Sequence, residues 1–180
     1  MAKLPTVLVI TERFTDSFMK EDLRLLRQFA QVMQLELGTW QPQRKGLFWG
    51  RVRQLRNLLK VVSYCLRADV SVVIFWFAYL YETPLLAAVT KLLGRKVVLI
   101  TGGIDATYVP EIDWGKLKTS KQRAGFGLLL RLTDSVWPFS HSANREIVQN
   151  YQPRYIETIY PAIDTDFFTP CPAERQVRVV

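Results

Sequence analysis

Cysteine and histidine are scarce in this chain of 180 residues, which holds two of the first and one of the second. Cys65 and Cys171 stand far apart with no metal-ligand spacing around them. That pattern argues against a disulfide framework and a zinc site, and fits a reducing compartment. The single His141 limits histidine-based catalysis to one position. Long apolar runs are missing as well. The longest, over residues 72–80, is too short to cross a bilayer, and the opening Met-Ala-Lys-Leu-Pro-Thr lacks the pattern of a signal peptide. A soluble or peripheral protein facing the cytoplasm is expected. One segment also lacks acid: none occurs between Glu36 and Asp69, whereas Arg44, Lys45, Arg51, Arg53, Arg56, Lys60 and Arg67 all fall there. Much of the net charge of +8 is concentrated in this stretch, so it seeks an anionic neighbour: nucleic acid, a membrane surface or a phosphorylated substrate.

What is present is alternation. With 49% hydrophobic residues the chain suffices for one well-packed domain, and strand-like apolar runs take turns with segments of helical period. Strands are expected over 7–10, 35–40, 70–77, 96–101, 135–140 and 156–159. Helices are expected from Phe18 through Met33, from Phe48 to Leu66, over 85–93 after a Thr83 cap and Pro84, from a Ser120 cap to Thr133, and over 143–150 behind a Ser142 cap. Such alternation implies an α/β domain, Rossmann-like and three-layered, around a mostly parallel sheet. On the second helix Phe48, Val52, Leu55, Leu59, Val62 and Leu66 follow one another in helical steps, with Arg53, Arg56, Lys60 and Arg67 as an adjacent basic stripe.

The fourth strand breaks into Gly102-Gly103-Ile104-Asp105 and a long polar loop reaching residue 119. Glycine permits a close approach of backbone to ligand or a positive φ, and Asp105 adds a charge. A tight turn capped by an aspartate would read the same way. After Pro161 the pattern changes, and Val177 to Val180 resembles a strand that stops unfinished. The expected division is a domain over 1–163, a linker over 164–175 and the start of a further domain over 176–180.

The order of these motifs resembles the amino-terminal half of a family-four glycosyltransferase, a retaining sugar-nucleotide transferase of two Rossmann-like domains facing a cleft (the GT-B architecture). The likeness rests on the Gly102 to Asp105 turn with Pro110-Glu111-Ile112-Asp113-Trp114-Gly115 behind it, and on Thr133-Asp134-Ser135-Val136-Trp137-Pro138-Phe139-Ser140 before a helix. It rests further on Ile159-Tyr160-Pro161-Ala162-Ile163-Asp164, on Phe168-Thr169-Pro170, and on Ser17-Phe18 with Asp22-Leu23 in the first helix. The chain differs from many members in three respects. Residues 11–17 contain no glycine, no histidine precedes the glycine-aspartate turn, and Pro161-Ala162 stands where asparagine-glycine is usual.

The resemblance implies transfer of a sugar from a nucleotide-sugar to a glycan or lipid-linked acceptor, with donor contacts in a second domain beyond this chain. The donor is then a substrate, and neither a resident cofactor nor a metal is implied. Asp105 is the expected contact nearest the chemistry, with Gly102 and Gly103 presenting backbone amides to the cleft, where developing charge on a diphosphate needs donors. Tyr108 and Glu111 on the long loop and Ser140 at a strand end are the further candidates. Glu111 could equally be solvated, and Ser140 could equally cap the next helix. For the basic helix, Trp49 with Arg53, Arg56 and Lys60 suits a headgroup interface on the inner face of a membrane. An ordinary solvated face is the plainer reading, and no recognition motif favours nucleic acid. A stand-alone binding module docking through this helix is the alternative function, and a sugar-nucleotide epimerase is a third.

Overall fold

The β-branched runs form one sheet in which every pairing is parallel. In the computed structural model, which describes residues 4–12, 17–38, 47–67, 69–78, 82–163 and 165, the central strands are β1 (Thr6–Thr11), β2 (Gln31–Glu36), β3 (Val70–Trp76), β4 (Lys96–Thr101) and β7 (Ser135–Pro138). Their order is β2-β1-β3-β4-β7. A parallel sheet needs cover on both faces. One face carries Leu8, Phe75, Val97 and Leu99 under α2 (Leu47–Arg67), α3 (Thr83–Leu92), α4 (Ser120–Leu132) and α5 (His141–Asn150), whose Val61, Leu86, Phe126 and Ile147 complete the core. The other carries Val9, Ile74, Val98 and Ile100 against Met19 and Leu23 of α1 (Ser17–Leu26). The result is a three-layer Rossmann-like α/β domain.

Several local expectations move. α1 ends at Leu26, and Met33, expected on that helix, lies in β2 opposite Leu8. The segment Gln31-Val32-Met33-Gln34-Leu35 fits either period, and pairing with β1 decides for the strand. β2 correspondingly stops at Glu36. The caps shift by one or two residues: Thr119, not Ser120, caps α4, accepting from the Gln122 amide at 3.2 Å while its own amide donates to Gln122 Oε1 at 2.8 Å. Ser140, not Ser142, caps α5. α3 begins at Thr83 itself, and Glu82, in the cap position, makes no capping bond with its side chain. The strand expected over 156–159 contracts to a bridge between Val136 and Ile156, continued by the Ile159 amide donating to Pro138 O at 3.0 Å. The loop over 102–119 has structure of its own: a short antiparallel pair, β5 (Tyr108–Val109) and β6 (Trp114–Gly115), around a 3-10 turn at Pro110–Ile112. Apart from Thr165, the linker and the unfinished strand, with Asp164, Phe168 and Cys171, lie outside the described residues.

Candidate functional site

In an open parallel sheet ligands gather beyond the carboxyl ends of the strands, where the order of connection reverses. Here the reversal falls between β1 and β3, since β2 lies on one side of β1 and β3 on the other. β3 ends on Trp76, after which Phe77 takes a left-handed conformation at φ +69. β4 ends on Thr101 and turns through the glycine pair into Asp105, whose exposure is 0%. Asp105 Oδ2 accepts the Ala78 amide at 2.9 Å, and Oδ1 accepts those of Gly102 at 3.0 Å and Gly103 at 3.1 Å. One carboxylate therefore ties the ends of two adjacent strands together.

This arrangement corrects the expectation for the glycine amides. They donate inward to Asp105 rather than out to the cleft, because a carboxylate removed from water requires donors and these are nearest. The carboxyl group itself, expected beside the chemistry, is enclosed under the turn. Burial pushes Asp105 above the usual carboxylate range, and the amides of Ala78 and Gly102, with the nearby Lys116 charge, offset that only in part. Both glycines are needed for shape: Gly103 sits at φ +105, and a Cβ on Gly102 would lie 2.6 Å from Phe77 Cε1. The outer surface of the glycine pair is thus bare backbone against an aromatic ring, with the exposed Ile104 side chain following it.

That ring extends the site. Phe77 meets Phe139 edge to face with centroids 5.9 Å apart, and the Phe139 amide donates to Thr101 O at 3.0 Å, so the ends of β3, β4 and β7 form one lip. Ser140 is at this lip, but its hydroxyl accepts the Ala143 amide at 3.1 Å, the capping role. Exposed His141 follows, edge to face with Tyr160 at 5.9 Å. The chain then passes across to α1, where the Ala162 amide donates to Asp22 Oδ1 at 2.7 Å. Burial raises the Asp22 pKa, the Ala162 amide opposing it.

Tyr108 and Glu111 are not brought to this lip. The Tyr108 hydroxyl donates to Asp113 Oδ1 at 3.1 Å, and Lys118 reaches the other oxygen at 2.8 Å. Tyr108 lines a separate groove of about 1100 Å³ between α4 and α5, with Arg123, Glu146 and Tyr151. The groove's inner wall is held by the Thr107 hydroxyl donating to Glu146. Glu111 stands exposed on the 3-10 turn.

The basic helix also divides. Arg56 and Lys60 are exposed, as is much of Trp49. Arg53 instead turns inward: it donates to Glu82 and, at 3.0 Å, to Gly38 O, and Glu82 accepts Asn57 Nδ2 at 2.8 Å. Glu82 is only 7% exposed and Asn57 fully buried, so this ion pair anchors the start of α2 to the starts of α3 and the β2 exit. Sequence reasoning missed Glu82 and Asn57, which carry no local signal, and missed Phe77, whose unusual φ nothing in its identity announces.

Neither a family model nor a curated protein sequence matches the chain. Among solved structures it is similar to Anabaena Alr3699/HepE, crystallised in complex with UDP, with a TM-score of 0.52 at 14% identity. The match covers 93% of this chain and 47% of that one, so the chain spans about half the length of its structural neighbour. Likeness at this identity establishes the fold, a Rossmann-like α/β domain.

Proposed function

We propose that this domain is the acceptor-side half of a GT-B glycosyltransferase, one that moves a sugar from a nucleotide-sugar to a glycan or lipid-linked acceptor with retention at the anomeric carbon. The observation that carries the reading is the match of nearly the whole chain to one half of a structure that holds UDP. The lip at the carboxyl ends of β3, β4 and β7 supports it by position, since it lies on the carboxyl edge, where an α/β sheet presents ligands, next to the reversal between β1 and β3. In the reaction the bond between the anomeric carbon and the diphosphate oxygen breaks and its electron pair leaves with the diphosphate. A bond forms to the acceptor oxygen on the face that the diphosphate leaves, and the acceptor's proton passes to the departing diphosphate oxygen. The donor enters as a substrate, and the reaction is written without a resident cofactor or metal.

Each candidate residue then has a part. Asp105 is a positioning residue, setting the Gly102–Gly103 turn so that bare backbone meets the acceptor closely. Ser140, with its oxygen engaged by the helix, still has a hydroxyl proton to give to a sugar oxygen. Tyr108 and Glu111 belong to the loop that follows the glycine turn and leads away from the lip, and take no part in the reacting centre. The donor contacts are assigned to a partner domain outside the described residues. No helix among the described residues is long and apolar enough to cross a membrane. A lipid-linked acceptor would be met from the cytoplasmic side, on an anionic surface.

The test is label transfer by the intact protein across a panel of nucleotide-diphosphate sugars, with glycan and lipid acceptors. Transfer that requires both a donor and an acceptor is expected. Absence of transfer for every pair, together with no nucleotide-sugar binding by calorimetry, would overturn the assignment.

A further inference from the structure

We propose that the outer face of α2 docks on an anionic lipid bilayer, its leucine row entering the headgroup region and its cations meeting lipid phosphate. The inference deepens the membrane placement above and is independent of the transfer chemistry. It begins from an inversion. Of the apolar row that helical spacing makes the natural core face, Val52, Leu55, Leu59 and Leu66 face solvent, with Leu55 57%, Leu59 60% and Leu66 65% exposed, Val62 is half-buried, and the Phe48 side chain lies outside what is described. The face that packs on the sheet is Gly50, Asn57, Val61 and Cys65, a narrower and smaller set. Helical residues three and four apart share a surface, so the exposed leucines form one ridge rather than scattered singles.

Charge decides what covers the ridge. Arg56 and Lys60 lie beside it on one flank and Arg51 on the other, all exposed, and α2 contains no acidic residue. Glu82, the acid facing the start of α2, is buried and already paired with Arg53, and exposed Asp69 lies past the far end of the helix. Arg53, expected in the outer stripe, is therefore not part of the docking face; its ion pair instead fixes the helix that carries it. Trp49, 59% exposed at the amino-terminal end, sits where an amphipathic ring favours the interface. A protein partner would need acids placed against both flanks of an apolar ridge, and duplex nucleic acid would leave the ridge uncovered. An anionic bilayer satisfies both features at once.

The experiment is cosedimentation of the full chain with vesicles of mixed phosphatidylglycerol and phosphatidylcholine, with vesicles of phosphatidylcholine alone, and titration with a short duplex DNA. Binding to the mixed vesicles and none to the neutral ones is expected. Replacing Arg56 and Lys60 together by Gln is expected to weaken partitioning about thirtyfold, from roughly fivefold per cation. Leu55→Gln with Leu59→Gln is expected to weaken it about tenfold for each leucine removed from the interface. Phe29→Gln, an equally exposed apolar site away from α2, is the control and is expected to change nothing. All these positions are exposed, and an unchanged thermal transition verifies that each variant folds. The proposal is overturned if the parent fails to bind the mixed vesicles, or if the leucine variant binds them like the parent. Duplex DNA binding that is lost in the charge variant and kept in the leucine variant would also overturn it, in favour of a nucleic-acid surface. Soluble-acceptor transfer is read separately, so failure of docking and failure of the transferase reading remain distinct.

Discussion

Removing the Asp105 carboxylate is expected to loosen the joint between β3 and β4. In Asp105→Ala three amide N–H groups lose their acceptor, that of Ala78 in the interior and those of Gly102 and Gly103 nearer solvent. An unsatisfied buried donor costs about 1–3 kcal/mol, so the three together cost about 5 kcal/mol before any relief. The relief comes from deleting a charge whose burial is incompletely compensated, as its raised pKa shows. A net loss of about 3 kcal/mol is expected, lowering Tm by roughly 9 °C in a domain of this size. Asp105→Asn keeps shape and one acceptor oxygen but sets an NH₂ group against the Ala78 N–H, and about 1–2 kcal/mol is expected. The pH dependence follows from the sign of the shift. A carboxyl group raised in the folded state holds its proton more tightly there, so its contribution is greatest below the unfolded value of about 3.9 and declines as pH rises through the folded value. The Asn variant lacks that decline, so its deficit against the parent narrows as pH rises across that window. The assay is urea unfolding followed by circular dichroism at several pH values. An Asp105→Ala protein within about 0.5 kcal/mol of the parent, in the range of ordinary surface substitutions, would refute the reasoning.

Three further outcomes are expected. Asp134 has the opposite sign: burial opposes its charge, but Lys91 at 2.7 Å and the Val97 amide at 2.8 Å prevail and hold its pKa low. Asp134→Asn should therefore cost about 1 kcal/mol at neutral pH after solvent screening, and the deficit should vanish as pH falls through the folded value, as followed by urea titration. Arg53→Gln leaves Glu82 buried without its cation and should cost about 3 kcal/mol, whereas Arg56→Gln should stay within about 0.5 kcal/mol; thermal melts compare the two. Gly102→Ala places a methyl group against the Phe77 ring and should cost about 1–3 kcal/mol by forcing the ring aside, visible as changed aromatic signals in a near-ultraviolet circular dichroism spectrum.

Much of the fold was legible because β-branched runs and helical period report burial directly. β4 and the length of α2 follow from that signal almost residue for residue. It failed where a segment fits two periods, as at Met33, and where two candidate caps stand close together, as at Ser140 and Ser142. It misled most on α2. Spacing says which residues share a face but not which face turns inward, and Asn57 and Arg53 were drawn to the sheet side by Glu82, a residue distant in sequence. At the candidate site the motif was visible and its wiring was not. Gly-Gly-x-Asp marks a turn, but whether the amides point at a ligand or at the aspartate is decided by the depth of the carboxylate, which only the packing of Ala78 and Ala106 around it fixes. Tyr108 and Glu111 lie near Asp105 in sequence, yet the β5–β6 hairpin turns Tyr108 to a different groove and leaves Glu111 exposed on its 3-10 turn.

The central claim is that the lip of β3, β4 and β7 holds the acceptor of a sugar transfer. The most direct measurement is initial-rate transfer by the intact protein against acceptor concentration, comparing the parent with Gly102→Val under conditions where both are folded. The account predicts acceptor-dependent transfer by the parent, with the KM for acceptor raised in the variant and the KM for donor unchanged. Transfer by Gly102→Val with parental acceptor KM would contradict it.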